Sequence, residues 1–395
     1  MTGLFVPGTF LIPEHCDLSK WSVIACDQYT SEPEYWQKAE ALVGSAPSSL
    51  RCILPEAYLS ETDLSLIEET HSAMLKYLNE NLFREYPDSY IYIERSLQDG
   101  RVRRGILGCI DLEAYEYTDN TEAAVRATEK TVPERIPPRM AVRKDAPLEF
   151  SHVLLLCDDE KKQIIEGRDP SSMPLLYDFD LMLNGGHIRG WLVSGSEKEK
   201  LEAELRRYET EKAGRLIYAV GDGNHSLASA KVLYEESGRD PALRYACTEL
   251  NNIRDDSYTF EPIHRIVQNA DTDDLTAFLR SHEQKGGTEI PFLCGGRETT
   301  LSLPVSKDSY TLKVLQDLLD QYLEDNPGEI DYIHGEEHLR SLCGKNTAGF
   351  VLPPLSADSF FANIEKNGAY CRKAFSIGEA DDKRFYLECR KLKNL

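Results

Sequence analysis

The longest regular pattern of apolar positions predicts a helix over residues 63–83. Leu64, Ile67, Met74, Leu75, Leu78 and Leu82 recur at helical spacing and would form one stripe, with Ser60-x-x-Asp63 as its cap. Shorter apolar runs predict strands. Residues 21–26 read Trp-Ser-Val-Ile-Ala-Cys, a buried strand that ends in Asp27-Gln28-Tyr29-Thr30; Ser31-Glu32-Pro33 then opens a helix through Tyr35 and Trp36. Residues 90–97 and 103–112 flank Gln98-Asp99-Gly100, a hairpin signal because glycine accepts the positive φ of the turn. Residues 151–157 are apolar on both faces, as in a central strand.

Ser196-x-x-Glu199 predicts a helix running to Gly214, followed by a strand at 216–220, a helix at 225–236 closed by Gly238, and a strand at 244–253. Beyond Glu261-Pro262-Ile263-His264-Arg265 the style changes. Helices near 273–282 and 309–323 alternate with strands at 289–293, 329–333 and 384–389. The expected fold class is α+β (mixed α/β). The expected domains are 1–147, an α/β domain with the hairpin; 148–268, a central domain; and 269–395, an α+β segment.

Composition narrows the picture. Hydrophobic residues at 41% and charged residues at 28% are globular rather than disordered values. No apolar run reaches the roughly 18 residues of a membrane helix, and the first residues lack a signal-peptide pattern, so a cytoplasmic protein with no membrane partner is expected. A net charge of −22 opposes nucleic acid as a partner. Ten scattered cysteines without Cys-x-x-Cys spacing read as buried small hydrophobes. Oligomeric state is not readable.

One segment concentrates chemistry. The strand at 216–220 runs into Gly221-Asp222-Gly223-Asn224-His225-Ser226 and then a helix. Two glycines permit unusual φ and close approach. A helix N-terminus presents backbone N–H groups and the positive end of its dipole, which suits a phosphate or carboxylate. A plain glycine-rich connection capped by Asn224 or Ser226 is the bland alternative; four polar groups crowded into one loop favour a site. A basic island lies upstream: between residues 126 and 144, Arg126, Lys130, Arg135, Arg139, Arg143 and Lys144 face only Glu129 and Glu134. Arg372, Lys373, Lys383 and Arg384 form a second basic group. Either could serve a polyanionic small ligand or neutralise the acidic body.

These stretches carry a resemblance. Trp21 to Thr30, Arg126-Ala127-Thr128-Glu129-Lys130-Thr131, the Gly221–Ser226 loop and Glu261 to Arg265 resemble the domain of unknown function 1015 family. The loop is also similar, more distantly, to the Gly-x-His-Arg loop of the ParB/sulfiredoxin-like superfamily, which includes free-serine kinases. That resemblance implies a ParB/sulfiredoxin-like central domain whose strand–glycine loop–helix unit grips nucleotide phosphates. Asp222, Gly223 and His225 match; Ser226 stands where the superfamily has arginine, which removes a bidentate phosphate donor.

The expected function is an enzyme binding a nucleotide or phosphorylated small molecule; the resemblance implies its most concrete form, a Mg2+-dependent small-molecule kinase using ATP or ADP. The alternative is a non-catalytic nucleotide- or metabolite-binding regulator. The expected catalytic residues are Asp27, Glu129 and His225, with Asp222 on the metal. The expected ligand residues are Gly221, Asp222, Gly223, Asn224, His225, Ser226, Arg126, Thr131, Arg135, Arg139, His264, Arg265, Arg372 and Lys373. His334-Gly335-Glu336-Glu337-His338 imitates a zinc-protease motif, but that chemistry needs both histidines on one helix, and Gly335 argues for a strand–helix break.

Overall fold

The computed structural model describes residues 3–58, 64–118, 121–305, 310–378 and 380–392. The chain is mixed α/β and divides into two compact units. The first comprises Met1–Ala127, Thr131–Tyr258 and Gly378–Leu395; the second comprises Thr128–Lys130 and Thr259–Ile377. The boundary expected at 147 falls inside the first unit, and the one at 268 falls at the end of a strand of the second.

The first unit is organised by a large mixed sheet. Its path runs through Tyr115–Glu116, Val125–Ala127, Tyr218–Asp222, Leu154–Cys157, Tyr245–Asn252, Val102–Asp111, Phe83–Ser96, Gly8–Pro13, Cys389–Lys391 and Leu148–Phe150. Leu154–Cys157 is central, as its unbroken apolar run predicts. It pairs antiparallel with Tyr218–Asp222 and parallel with Tyr245–Asn252, and all four residues are buried. Each buried leucine there contributes about 1.5–3 kcal/mol. The hairpin joins Phe83–Ser96 to Val102–Asp111 through Gly100 at φ 85°. Both faces of the sheet are covered, giving two apolar clusters: one around Trp21, Trp36, Met74 and Ile91, the other around Phe5, Leu155, Val220 and Leu227.

The second unit holds an antiparallel sheet in the order Arg297–Leu303, Thr288–Cys294, Thr347–Phe350, Phe260–Gln268 and Glu329–His334, with Phe375–Ile377 also on Phe260–Gln268. Helices Thr272–Ser281 and Thr311–Asp325 belong to it.

Several sequence expectations change: the helix expected over 63–83 ends at Asn79, and the strand expected at 384–389 is two short strands, Phe385–Tyr386 and Cys389–Lys391. Trp21 ends a short helix, Leu18–Trp21, and only Val23–Ile24 is strand. The cause is local: the Asp17 carboxylate accepts the Ser19 N–H at 3.0 Å and starts the helix. In helix Leu64–Asn79, the buried stripe runs through Ile67, Thr70, Met74 and Tyr77, while Leu75 is exposed; the Ser60-x-x-Asp63 cap lies outside the described residues. Helix Gly195–Glu211 starts before Ser196, with Ser194 at its N-cap.

Candidate functional site

The candidate site grows from the C-terminal end of strand Tyr218–Asp222. Against Leu154–Cys157 the register slips by one residue: Val220 faces Leu155, Asp222 faces Leu154, and Gly221 is the extra residue. A bulge breaks the two-residue alternation. Val220 is therefore buried in the core while Asp222 emerges half-buried at the strand end. A side chain at Gly221 would place Cβ 2.8 Å from Leu156 Cγ. Gly223 follows as the N-cap of helix Asn224–Glu236, at φ 80° and without a side-chain cap. Its Cα faces Val153 and His152 closely enough that a Cβ would sit 3.0 Å from Val153 Cγ2. Glycine is required here for two separate reasons. Behind the loop, Ala228 and Ala230 are buried, and the Ser229 hydroxyl donates to the His225 carbonyl at 2.7 Å.

A compact charged group surrounds this loop. Asp222 Oδ1 accepts the Gly223 N–H at 2.9 Å, and Oδ2 lies 3.4 Å from Lys383 Nζ. Asp27, in the turn after Val23–Ile24, puts Oδ2 3.7 Å from His152 Nε2 and accepts from Gln28 Nε2 at 3.0 Å. Burial would push the Asp27 carboxyl up, but His152, the Gln28 hydrogen bond, Lys383 and Arg139 together hold it below the usual range. The Tyr386 hydroxyl is 2.8 Å from His152 Nδ1 and 3.0 Å from Cys26 Sγ. Burial first, and Asp27 next, push the Cys26 thiol up to about 12, so it stays protonated and is no nucleophile near neutrality. Arg139 pairs with Glu56, whose carboxyl is raised by burial above all.

Of the residues expected from the sequence, Asp27, Thr131, Arg139 and the whole Gly221–Ser226 loop belong to the first unit. His225 is more constrained than expected. Its Nε2 accepts the Val132 N–H at 3.1 Å, which requires a neutral ring protonated on Nδ1. Thr131, the next residue back, has a buried Oγ1 with no hydrogen-bond partner among the described residues; the same is true of Asp222 Oδ2. Arg126 is buried in strand Val125–Ala127, its Nε on the Ala123 carbonyl at 2.7 Å. Arg135 is exposed. Arg143 pairs with Glu149 at 2.6 Å. Arg126, Arg139 and Arg143 are thus engaged with separate partners.

The remaining expected residues lie in the second unit. Glu129 accepts the Ala374 N–H at 3.2 Å. His264 Nδ1 accepts the Leu352 N–H at 3.1 Å, and burial lowers its pKa. Arg265 is fully buried, donating to Gln316 Oε1 at 2.9 Å and the Ile263 and Arg372 carbonyls at 2.7 and 3.1 Å. Arg372 and Lys373 are exposed. His334 ends a strand and His338 lies on helix Glu336–Leu342 after Gly335 at φ 80°, so the protease-like motif is broken as its glycine implies.

Sequence reasoning did not single out His152, Tyr386, Cys26 and Glu56. Lys383 was visible only as part of a basic group, whose other members go elsewhere: Arg384 is buried on Glu249 and Glu388 at 2.8 Å each.

Among the described residues, no group of three or more His, Cys, Asp or Glu is arranged around a metal position. A Mg2+ ion arriving with phosphates needs only one or two carboxylates. Asp222, whose Oδ2 has the Lys383 ammonium at 3.4 Å, fits that donor set; the ion would neutralise charge on phosphate oxygens.

The fold and site define a mixed α/β protein with a bulged strand, a glycine loop and a helix N-terminus beside a charged cluster. The chain belongs to the family described as "Protein of unknown function (DUF1015)", whose model matches residues 13–340. No curated protein matches the sequence. Among solved structures, the chain is similar to SbnI with C-terminal truncation from Staphylococcus aureus, at 12% identity and TM-score 0.38, over 69% of this chain and 82% of that one. It is similar to a free serine kinase in complex with AMP, at 11% identity and TM-score 0.40, over 72% and 91%. It is also similar to a conserved hypothetical protein from Pyrococcus furiosus, at 11% and 0.37, over 72% and 94%. No helix among the described residues is long and apolar enough to cross a membrane.

Proposed function

We propose that this protein binds a nucleotide or other phosphorylated small molecule at the Gly221–Ser226 loop and transfers a phosphoryl group, with Mg2+, to a small hydroxyl acceptor. The observation that carries this reading is the glycine loop at a helix N-terminus with Asp222 Oδ2 beside the Lys383 ammonium at 3.4 Å, together with a buried Thr131 Oγ1 that has no hydrogen-bond partner among the described residues. An unsatisfied buried polar atom costs roughly 1–3 kcal/mol, and a bound ligand or its cation supplies the missing contact. The uncapped helix N-terminus and Lys383 provide positive potential beside them. Asp27 is held ionised and receives the acceptor proton as the acceptor oxygen bonds to phosphorus and the bond to the departing phosphate breaks. A low-pKa carboxylate suffices, because phosphoryl transfer depends mainly on positioning and charge stabilisation.

Thermal denaturation with ADP or ATP, with and without Mg2+, tests the binding step. A ligand at a hundred times its Kd stabilises by about 2.7 kcal/mol. The shift should be lost in Asp222→Asn and reduced in Lys383→Gln. A protein that no phosphorylated compound stabilises would refute the reading. Nucleotide binding without turnover, unaffected by Asp27→Asn, would favour the regulator instead.

A further inference from the structure

A cavity of about 110 Å³ opens beside the candidate site, wholly within the first unit. Its polar lining includes His152, Ser226, Tyr386 and the Glu56–Arg139 and Arg143–Glu149 pairs; its apolar lining includes Ile53, Leu54, Met74, Val142, Leu148 and Leu392. Two features restrict what could fill it. Its charges are already matched: Arg139 is on Glu56, and Glu149 is held between Arg143 and Arg390. An added ammonium or carboxylate would therefore enter without a counter-charge, at a large desolvation cost. In size it falls below the roughly 150 Å³ apolar cavity that holds benzene, which suits a short hydrocarbon body.

We propose that this cavity is the acceptor subsite, and that the acceptor is a neutral alcohol with a short hydrocarbon body rather than a zwitterion such as a free amino acid. The assignment rests on the phosphoryl-transfer reading. The hydrocarbon lies along Ile53, Met74 and Leu148. The hydroxyl meets His152, Tyr386 and Ser226, on the side where Asp27 and the loop converge on His152.

The test titrates the full-length protein, labelled with 13C at the methionine methyl groups, with 3-methyl-1-butanol and separately with L-serine. Met74→Leu identifies the Met74 signal. The alcohol should move that signal saturably while Met173 and Met182, which lie outside the cavity, stay in place; serine should not move it. Ala146→Leu fills the cavity at a lining residue and should weaken the alcohol titration at least ten-fold, and Ile53→Phe provides a second filled variant if the first does not fold. ADP-induced stabilisation is measured on the same samples. If it persists while Met74 fails to respond to the alcohol, or responds equally to serine, the acceptor assignment is overturned and the loop reading survives. If the alcohol saturates Met74 and ADP has no effect, the cavity binds neutral alcohols but the phosphoryl-transfer reading fails.

Discussion

Gly223→Ala isolates the close approach on which the loop depends. Gly223 has φ 80°, and a Cβ there would lie 3.0 Å from Val153 Cγ2 and 3.1 Å from Val153 Cα. The left-handed conformation costs a non-glycine residue about 1–2 kcal/mol. The Val153 contact adds an overpacking cost of about 1–3 kcal/mol, because Val153 leads into a central strand and its backbone cannot retreat. Reduced freedom of the unfolded chain returns roughly 0.4–1 kcal/mol. Gly214 is the control. It has the same φ of 80° with nothing within 4 Å of a built Cβ, so Gly214→Ala carries the conformational terms without the contact. The difference between the two variants should therefore be about 1–3 kcal/mol. At roughly 2–4 °C per kcal/mol, Gly223→Ala should melt several degrees below Gly214→Ala by calorimetry. Equal melting temperatures would refute the argument, because they would mean that the loop does not press on Val153 and His152.

Other consequences follow from the buried charges. Arg384→Ala removes the shared partner of Glu249 and Glu388 and should cost about 3–5 kcal/mol in urea unfolding, as expected for an uncompensated buried charge; a loss below 1 kcal/mol would contradict the pairing. Burial opposes ionisation of Glu149, but Arg143 and Arg390 outweigh it and hold the pKa below the usual range. A depressed folded-state pKa contributes stability above about pH 4.3 that is lost as the pH falls through the folded value. The gap in stability between wild type and Glu149→Gln should therefore narrow as acid is added, and a gap independent of pH would count against it. Alkylation at pH 8 followed by peptide mapping should find Cys26 protected in the native protein and labelled in urea, because its pKa of about 12 leaves little thiolate; rapid native labelling would show that the thiol is not held as described.

The legible parts of this structure are those with local causes. Leu154–Cys157 announces a central strand by its unbroken apolar run, and Asp99-Gly100 announces the hairpin turn. The Gly221–Ser226 loop is visible because its two glycines and polar residues sit between a strand pattern and a helix pattern. The site around the loop is much less legible. Tyr386 and His152 meet across more than two hundred residues, and no periodicity records that pairing. His152 also sits beside the apolar run of a core strand, where its polarity reads as an interruption. The helix ending at Trp21 is hidden for a different reason: the Asp17 cap that starts it acts through one residue, Ser19, and is weaker as a pattern than the apolar run it precedes.

The segment carrying Lys383 and Tyr386 lies beyond residue 340, where the family match ends, and its mode of attachment explains why it belongs to the site. Arg95 and Arg103 are buried, yet both donate to main-chain carbonyls of this segment: Arg95 to Asp381, Asp382 and Lys383, Arg103 to Asp382 at 2.6 Å. Burial, and then the nearby Arg103, pull the Arg95 pKa down to about 9, so holding two guanidinium groups together here is costly. Apolar side chains could anchor a terminal strand without that cost, as Leu387 and Cys389, both fully buried, do a few residues further on. What a guanidinium adds is direction: a rigid fork of donors fixes several carbonyl oxygens at once. The residues so fixed are Asp381 to Lys383, and the side chain they aim is the ammonium beside Asp222. Anchoring alone does not account for a pair of buried arginines at this point; accurate placement of one cation at the loop does.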